Sequence, residues 1–180
     1  MTVAILAPGY GGTARQPLLQ RLAGRLEELG MPARPITFST RGGRPSRGYA
    51  TELADLRAAR DEMVAAHGGP VVLVGRSFGG RMCAFLAEQE PPAALVVLGH
   101  PIGPPGRPRP KDEAALAALA CPTLVVQGER DELGPLALLE RIAAENPRIE
   151  LAVLAGAGHD FGPAEAEAIE RAIGWLKERL

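Results

Sequence analysis

Apolar runs and stretches of helical periodicity alternate along the chain. Val3–Ala7 and residues 71–74, 95–98 and 123–126 are short runs rich in valine, leucine and isoleucine. Runs of this length, bounded by glycine and proline, read as strands covered on both faces. Residues 33–38 are a weaker candidate, because Pro35 cannot donate to a central ladder and belongs early or at an edge. Ile149–Leu154 completes the set. Between the runs the period becomes helical. Pro17 opens a helix with Leu18, Leu19, Leu22, Leu26 and Leu29 on one face, stopped at Gly30. Residues 49–67 turn Leu53, Leu56, Met63 and Val64 inward, until Gly68-Gly69-Pro70 breaks the pattern. Further helices are predicted up to Gln89, over 112–119, and from Pro135 to Glu145. The last follows Pro163 and carries Ala166, Ile169, Ile173, Trp175, Leu176 and Leu180.

Strands and helices therefore alternate through six repeats of the pattern, without an internal sequence repeat or a low-complexity segment. Apolar strands joined by helical crossovers predict an α/β fold: a three-layer α/β/α sandwich around a doubly wound, six-stranded parallel sheet. At 180 residues the expectation is one domain spanning 1–180, long enough to bury a sizeable core. In such sheets, ligands bind at the carboxyl edge. The loops after the strands are also where glycine and polar residues gather.

Composition mostly excludes. A net charge of −1 gives no draw toward nucleic acid or an anionic membrane surface. No apolar run approaches the ~18 residues of a membrane span, and the start of the chain lacks the basic region of a secretory leader. Cys83 and Cys121 lie far apart with no C-x-x-C, so they read as reduced, structural thiols in a cytoplasmic protein. One loop, 39–48, is basic and glycine-rich. Its Arg41, Arg44 and Arg47 are either solvated or recognise an acidic substrate.

The chemistry starts at Val71-Val72-Leu73-Val74-Gly75-Arg76-Ser77-Phe78-Gly79-Gly80. A strand running through Gly-x-Ser-x-Gly into a helix places a serine at the apex of a sharp turn. Serine is a weak nucleophile alone and needs a base, which in turn needs an orienting group. Of the three histidines, His159 follows the last strand in a glycine-rich loop and is the candidate base. His67 reads as a cation in the last turn of a helix. Asp131, after the fifth strand, is the candidate orienting acid, while Glu129, Glu132 and Asp160 read as solvated loop charges. The backbone N–H of Phe78, at a helix start, is one candidate oxyanion donor. A second is expected from Pro8-Gly9-Tyr10-Gly11, with Tyr10 preferred over Gly11. Arg76, His100 and Pro101 are candidates for the substrate pocket, with Arg76 otherwise a surface charge and His100 otherwise simply packed there, and Cys83 is a candidate for the core.

These motifs, with the order Ser77, Asp131, His159 and the proline-rich stretch 99–110, resemble those of small, lidless α/β-hydrolases. The resemblance is to the dienelactone-hydrolase-like superfamily, in particular its compact branch of testis-expressed and chromatin-complex-related proteins. It implies a sheet lacking the first two strands of the full fold, with the second strand outside the first. Pro8 stands where that superfamily usually has histidine. Ser77 stands where dienelactone hydrolases proper have cysteine, so their substrate is not carried over. The resemblance implies a serine hydrolase cleaving a small ester or thioester, with an open, shallow pocket, no metal and no organic cofactor. The alternative is a hydrolase-fold binding or scaffold protein with little catalysis. The acyl group, the leaving group and the oligomeric state are not specified by these residues.

Overall fold

The computed structural model describes residues 1–40 and 43–179. Six strands, β1 (Val3–Ala7), β2 (Ala33–Pro35), β3 (Val71–Arg76), β4 (Ala94–Leu98), β5 (Thr123–Gly128) and β6 (Ile149–Leu154), form one open sheet in the order β2-β1-β3-β4-β5-β6. Every neighbouring pair is parallel. Six helices connect or follow them: α1 (Pro17–Glu28), α2 (Ala50–His67), α3 (Phe78–Gln89), α4 (Pro110–Ala117), α5 (Leu136–Glu145) and α6 (Glu165–Lys177).

Strand alternation sorts the core into two layers. Val3, Ile5, Leu73, Leu95 and Val97 point toward α2, α3, α4 and α5, where they meet Leu56, Met82, Leu116 and Leu139. Ala4, Leu6, Val72, Val74, Val96 and Leu98 point the other way, onto Leu19 and Leu22 of α1 and Ile169, Ile173 and Trp175 of α6. This is the expected three-layer sandwich. Winding from β1 to β2 runs one way across the sheet and from β3 to β6 the other. The sense reverses between β1 and β3, and the crevice at their carboxyl ends is where such a sheet receives a ligand.

Several boundaries differ from those the periodicity predicts. β2 stops at Pro35, which lies opposite Leu6 on the outer edge of the sheet. There its missing N–H costs no ladder bond. α4 begins earlier than 112, because Pro110 occupies its first turn, a position that needs no N–H. Val64 is exposed, and so is Ala166, whose expected place on α6 is taken by Ala168 and Ala172. Arg41 and Leu180 lie outside the described residues.

Candidate active site

Glycines make the turn at Ser77. β3 ends at Arg76 and α3 starts at Phe78, so Ser77 alone reverses the chain, with φ 49° and ψ −112°. That is a strained conformation for a residue with a side chain. It is held from both sides: the Ser77 N–H bonds the Leu98 carbonyl at 3.0 Å, and the Ser77 carbonyl accepts the Arg81 N–H at 3.1 Å. Helix and strand then touch backbone to backbone. A Cβ added to Gly75 would lie 2.5 Å from the Gly79 carbonyl carbon, and one on Gly80 would lie 2.6 Å from Cγ1 of Val97. A Cβ on Gly79 would lie 2.5 Å from the Pro8 carbonyl oxygen. The same glycines that permit the turn thus press the start of α3 against the loop after β1.

Three side chains from three loops form one hydrogen-bonded line. Ser77 Oγ is 2.7 Å from His159 Nε2, and His159 Nδ1 is 2.7 Å from Asp131 Oδ2. An ionised carboxylate only accepts, so Nδ1 carries the proton and Nε2 faces the hydroxyl as an acceptor. The Asp131 side chain is fully buried. Its oxygens are nevertheless well supplied: Oδ1 accepts the N–H groups of Leu133 at 2.9 Å and Gly134 at 3.2 Å, and Oδ2 accepts Gln127 Nε2 at 2.9 Å.

Gln127 was not singled out in the sequence, yet it organises this corner. Its amide also donates to the Gly134 carbonyl at 2.9 Å, and its oxygen accepts the His100 N–H at 2.8 Å. The available signal was a glutamine ending the apolar run of β5, since a buried amide must find partners.

The loop carrying His159 is tied to the loop carrying Asp131. Arg130 N–H bonds the Ala157 carbonyl at 2.8 Å, and Gly156 N–H bonds the Glu129 carboxylate at 2.7 Å. A Cβ on Gly128 would sit 2.5 Å from the carbonyl oxygens of both Ala157 and Gly158. Arg76 adds the third tie. Its guanidinium donates to the Leu98 carbonyl at 3.0 Å and to the His159 carbonyl, and its centre lies 5.1 Å from the ring centroid of Phe161.

Backbone donors lie on both sides of Ser77. Phe78 N–H opens α3, and among the described residues it has no acceptor. In the loop after β1, Gly9 N–H is taken by Gln16 Oε1 at 3.1 Å and Gly12 N–H by the Gly9 carbonyl at 2.9 Å. Tyr10 and Gly11 keep unpaired N–H groups among the described residues. The Tyr10 ring packs edge-on against Phe78.

A cavity of about 550 Å³ opens over Ser77, bounded by Tyr10, Tyr49, Phe78, Pro101 and Leu133. A smaller one of about 190 Å³ lies on the other side of Tyr10 and Phe78, toward Gly9 and Phe38. Of the three residues expected to line a pocket, only Pro101 does. Arg76 is buried on the opposite face of the sheet, because in β3 it shares the parity of Val72 and Val74 and so points toward α6. Burial there lowers its pKa. His100 is fully buried behind the cavity, with no partner for either ring nitrogen among the described residues, and burial pushes its pKa down to about 4. Arg44 and Arg47 are exposed and lie off the cavity wall. Cys83 is fully buried in the core, which pushes its thiol pKa up. Among the described residues no helix is long and apolar enough to cross a membrane.

A family model described as an alpha/beta hydrolase domain matches residues 1–175. Among curated proteins none matches the chain. An alpha-beta serine hydrolase homologue from Coxiella burnetii is 27% identical and superposes with a TM-score of 0.83, over 97% of this chain and 85% of that one. Dienelactone hydrolase from Anabaena variabilis, at 22% identity, superposes with a TM-score of 0.83 over 100% of this chain and 87% of its own. A lidless α/β serine hydrolase from Xanthomonas campestris, at 23% identity, gives a TM-score of 0.72 over 94% and 81%. The last two bear on the fold.

Proposed function

Because the chain belongs to the alpha/beta hydrolase domain family, we propose that it is a serine hydrolase cleaving a small ester or thioester by acyl transfer, in the manner of the compact, lidless branch it resembles. The observation that carries the reading is the line from Ser77 Oγ through His159 to Asp131, with both contacts at 2.7 Å.

In this reading Ser77 Oγ attacks the substrate carbonyl while His159 Nε2 takes its proton. The buried Asp131 carboxylate fixes the histidine tautomer and stabilises the imidazolium that forms. Negative charge builds on the carbonyl oxygen, where the N–H groups of Phe78 and of Tyr10 or Gly11 receive it. Collapse of the tetrahedral intermediate passes the proton from His159 to the leaving alcohol or thiol. Water then repeats the sequence on the acyl-serine and releases the acid. The Ser77 turn presents Oγ to the cavity at the end of β3 rather than folding it into α3, so the nucleophile needs no rearrangement before attack.

Covalent labelling with a fluorophosphonate tests the assignment. Wild type should label with one adduct on Ser77, and Ser77→Ala should not label. Unchanged labelling of Ser77→Ala, or no Ser77-dependent hydrolysis across a series of short p-nitrophenyl esters and acyl thioesters, removes the enzyme reading in favour of a binding role.

A further inference from the structure

Among the described residues, the cavity beside Ser77 is lined by three arginines and by no carboxylate. Arg81 is already neutralised. Its guanidinium grips both oxygens of Asp112 and reaches the Tyr49 hydroxyl at 3.0 Å. Arg107 and Arg109 differ: among the described residues neither has a carboxylate partner. Arg109 donates once, to the Pro101 carbonyl at 2.9 Å, which anchors the guanidinium beside the cavity. Burial lowers its pKa, and the neighbouring Arg81 cation lowers it further. A carboxylate placed in the cavity would meet this cation directly, and its charge would offset that of the two neighbouring guanidinium groups.

The loop that carries both arginines is built to hold them. Arg107 N–H closes a turn on the Pro104 carbonyl at 2.9 Å, with Gly106 at φ 69°. Pro110 then starts α4 directly after Arg109. The remaining wall is largely apolar and aromatic, with Phe78 and Tyr49 packed edge to face, 6.0 Å between centroids. A partly buried cationic fork beside an aromatic wall and a serine nucleophile defines a substrate with matching parts.

We propose that this cavity selects esters or thioesters that also bear a carboxylate, which Arg109 grips with Arg107 at its side, while the apolar body of the substrate lies on Phe78 and Tyr49. The planar fork of arginine matches a carboxylate in geometry as well as charge. This selectivity rests on the reading of Ser77 as the nucleophile of the same cavity.

Two matched ester pairs test it. In the first, p-nitrophenyl glutarate is compared with p-nitrophenyl valerate, so a carboxylate replaces a methyl group on the acyl side. In the second, 4-acetoxybenzoate is compared with 4-methylphenyl acetate, placing the charge on the leaving group. In at least one pair, the ratio of kcat/KM for charged over neutral ester should fall about tenfold from wild type to the Arg107→Gln, Arg109→Gln double variant. Arg109→Lys should restore less of it than the wild-type residue. The responding pair tells on which side of the ester the carboxylate lies. Equal ratios in wild type and double variant for both pairs overturn the proposal.

Calorimetric titration of Ser77→Ala with the same four esters separates this outcome from failure of the hydrolase reading. If wild type shows no Ser77-dependent turnover, arginine-dependent binding of a charged ester upholds the anion site without the enzyme. Equal binding of charged and neutral esters removes the anion site.

Discussion

His100 sits in an environment that opposes its protonated form. Its side chain is fully buried with both ring nitrogens unpartnered among the described residues, and its pKa falls from 6.5 to about 4. The folded protein keeps it neutral, whereas the unfolded chain takes up its proton near the ordinary value. Between those two pH values the unfolded state binds more protons, so stability rises with pH across the window. The contribution is fully present above about pH 6.5 and is lost as pH falls toward 4. Each pKa unit is worth about 1.4 kcal/mol, so the swing is on the order of 3 kcal/mol. Urea unfolding at several pH values should show that loss in wild type, and a His100→Leu variant should flatten this part of the profile. Equal slopes in the two proteins would place the acid sensitivity elsewhere. Its position after β4 is compatible with lining the pocket or with packing beside it, and in the structure it packs. That position settles which edge of the sheet a residue lies at, and a single residue beyond the strand leaves its direction free. Arg76 is the opposite case. It continues the alternation of Val72 and Val74, so its direction toward α6 was legible in the run of β3.

The element that carries the candidate site is the strand–turn–helix of β3 and α3, and most of it was legible in the sequence. The pattern of an apolar run, Gly-x-Ser-x-Gly and a helix start matches the observed Val71–Arg76 strand and Phe78–Gln89 helix. The sequence did not reveal which neighbour each glycine serves. Gly75 and Gly80 serve each other, while Gly79 serves the loop after β1, whose Pro8 carbonyl would lie 2.5 Å from an added Cβ. The atom in the way is backbone, so it cannot rotate aside. Gly79→Ala should therefore push the Pro8–Gly11 loop away from α3, costing about 1–3 kcal/mol of stability. Its larger effect should be on function. If Tyr10 or Gly11 donates to the oxyanion, its N–H moves with the loop, and kcat should fall by about two orders of magnitude with little change in KM. A fall confined to stability, with kcat intact in the folded fraction, would show that the loop after β1 plays no part in the reaction. Helix ends were less legible than the elbow. The buried Arg81–Asp112 pair between α3 and α4 had no signature, because a charge near a helix start looks the same in sequence whether it caps, solvates or pairs.

At the scale of the molecule, the sheet brings together groups that the chain keeps apart. Ser77, Asp131 and His159 follow β3, β5 and β6, and the candidate oxyanion loop follows β1. Because all strands are parallel, all four loops leave from the same edge, and the reversal of winding between β1 and β3 opens room above Ser77. The order of the motifs and the strand–helix alternation were enough to anticipate that edge. They did not anticipate the ties that set distances across it: Gln127 beneath Asp131, Arg76 beneath His159, and Gly128 against Ala157 and Gly158. The ties at Arg76 and Gly128 join residues remote in sequence, which no local pattern encodes, while Gln127 lies four residues before Asp131 and only its burial at the end of β5 gives it its partners. They also make a kinetic prediction. If the three side chains act as one device, removing any single one disables the others. Ser77→Ala and His159→Ala should each lower kcat by about 10³-fold or more, and the double variant should be no slower than about the worse single. Independent contributions would instead multiply, giving a double variant slower by the product of the two losses. Single-turnover hydrolysis of p-nitrophenyl acetate by all three variants distinguishes the cases. Multiplying losses would mean that the 2.7 Å contact between Ser77 and His159 is a structural hydrogen bond and that proton transfer from Ser77 takes another route.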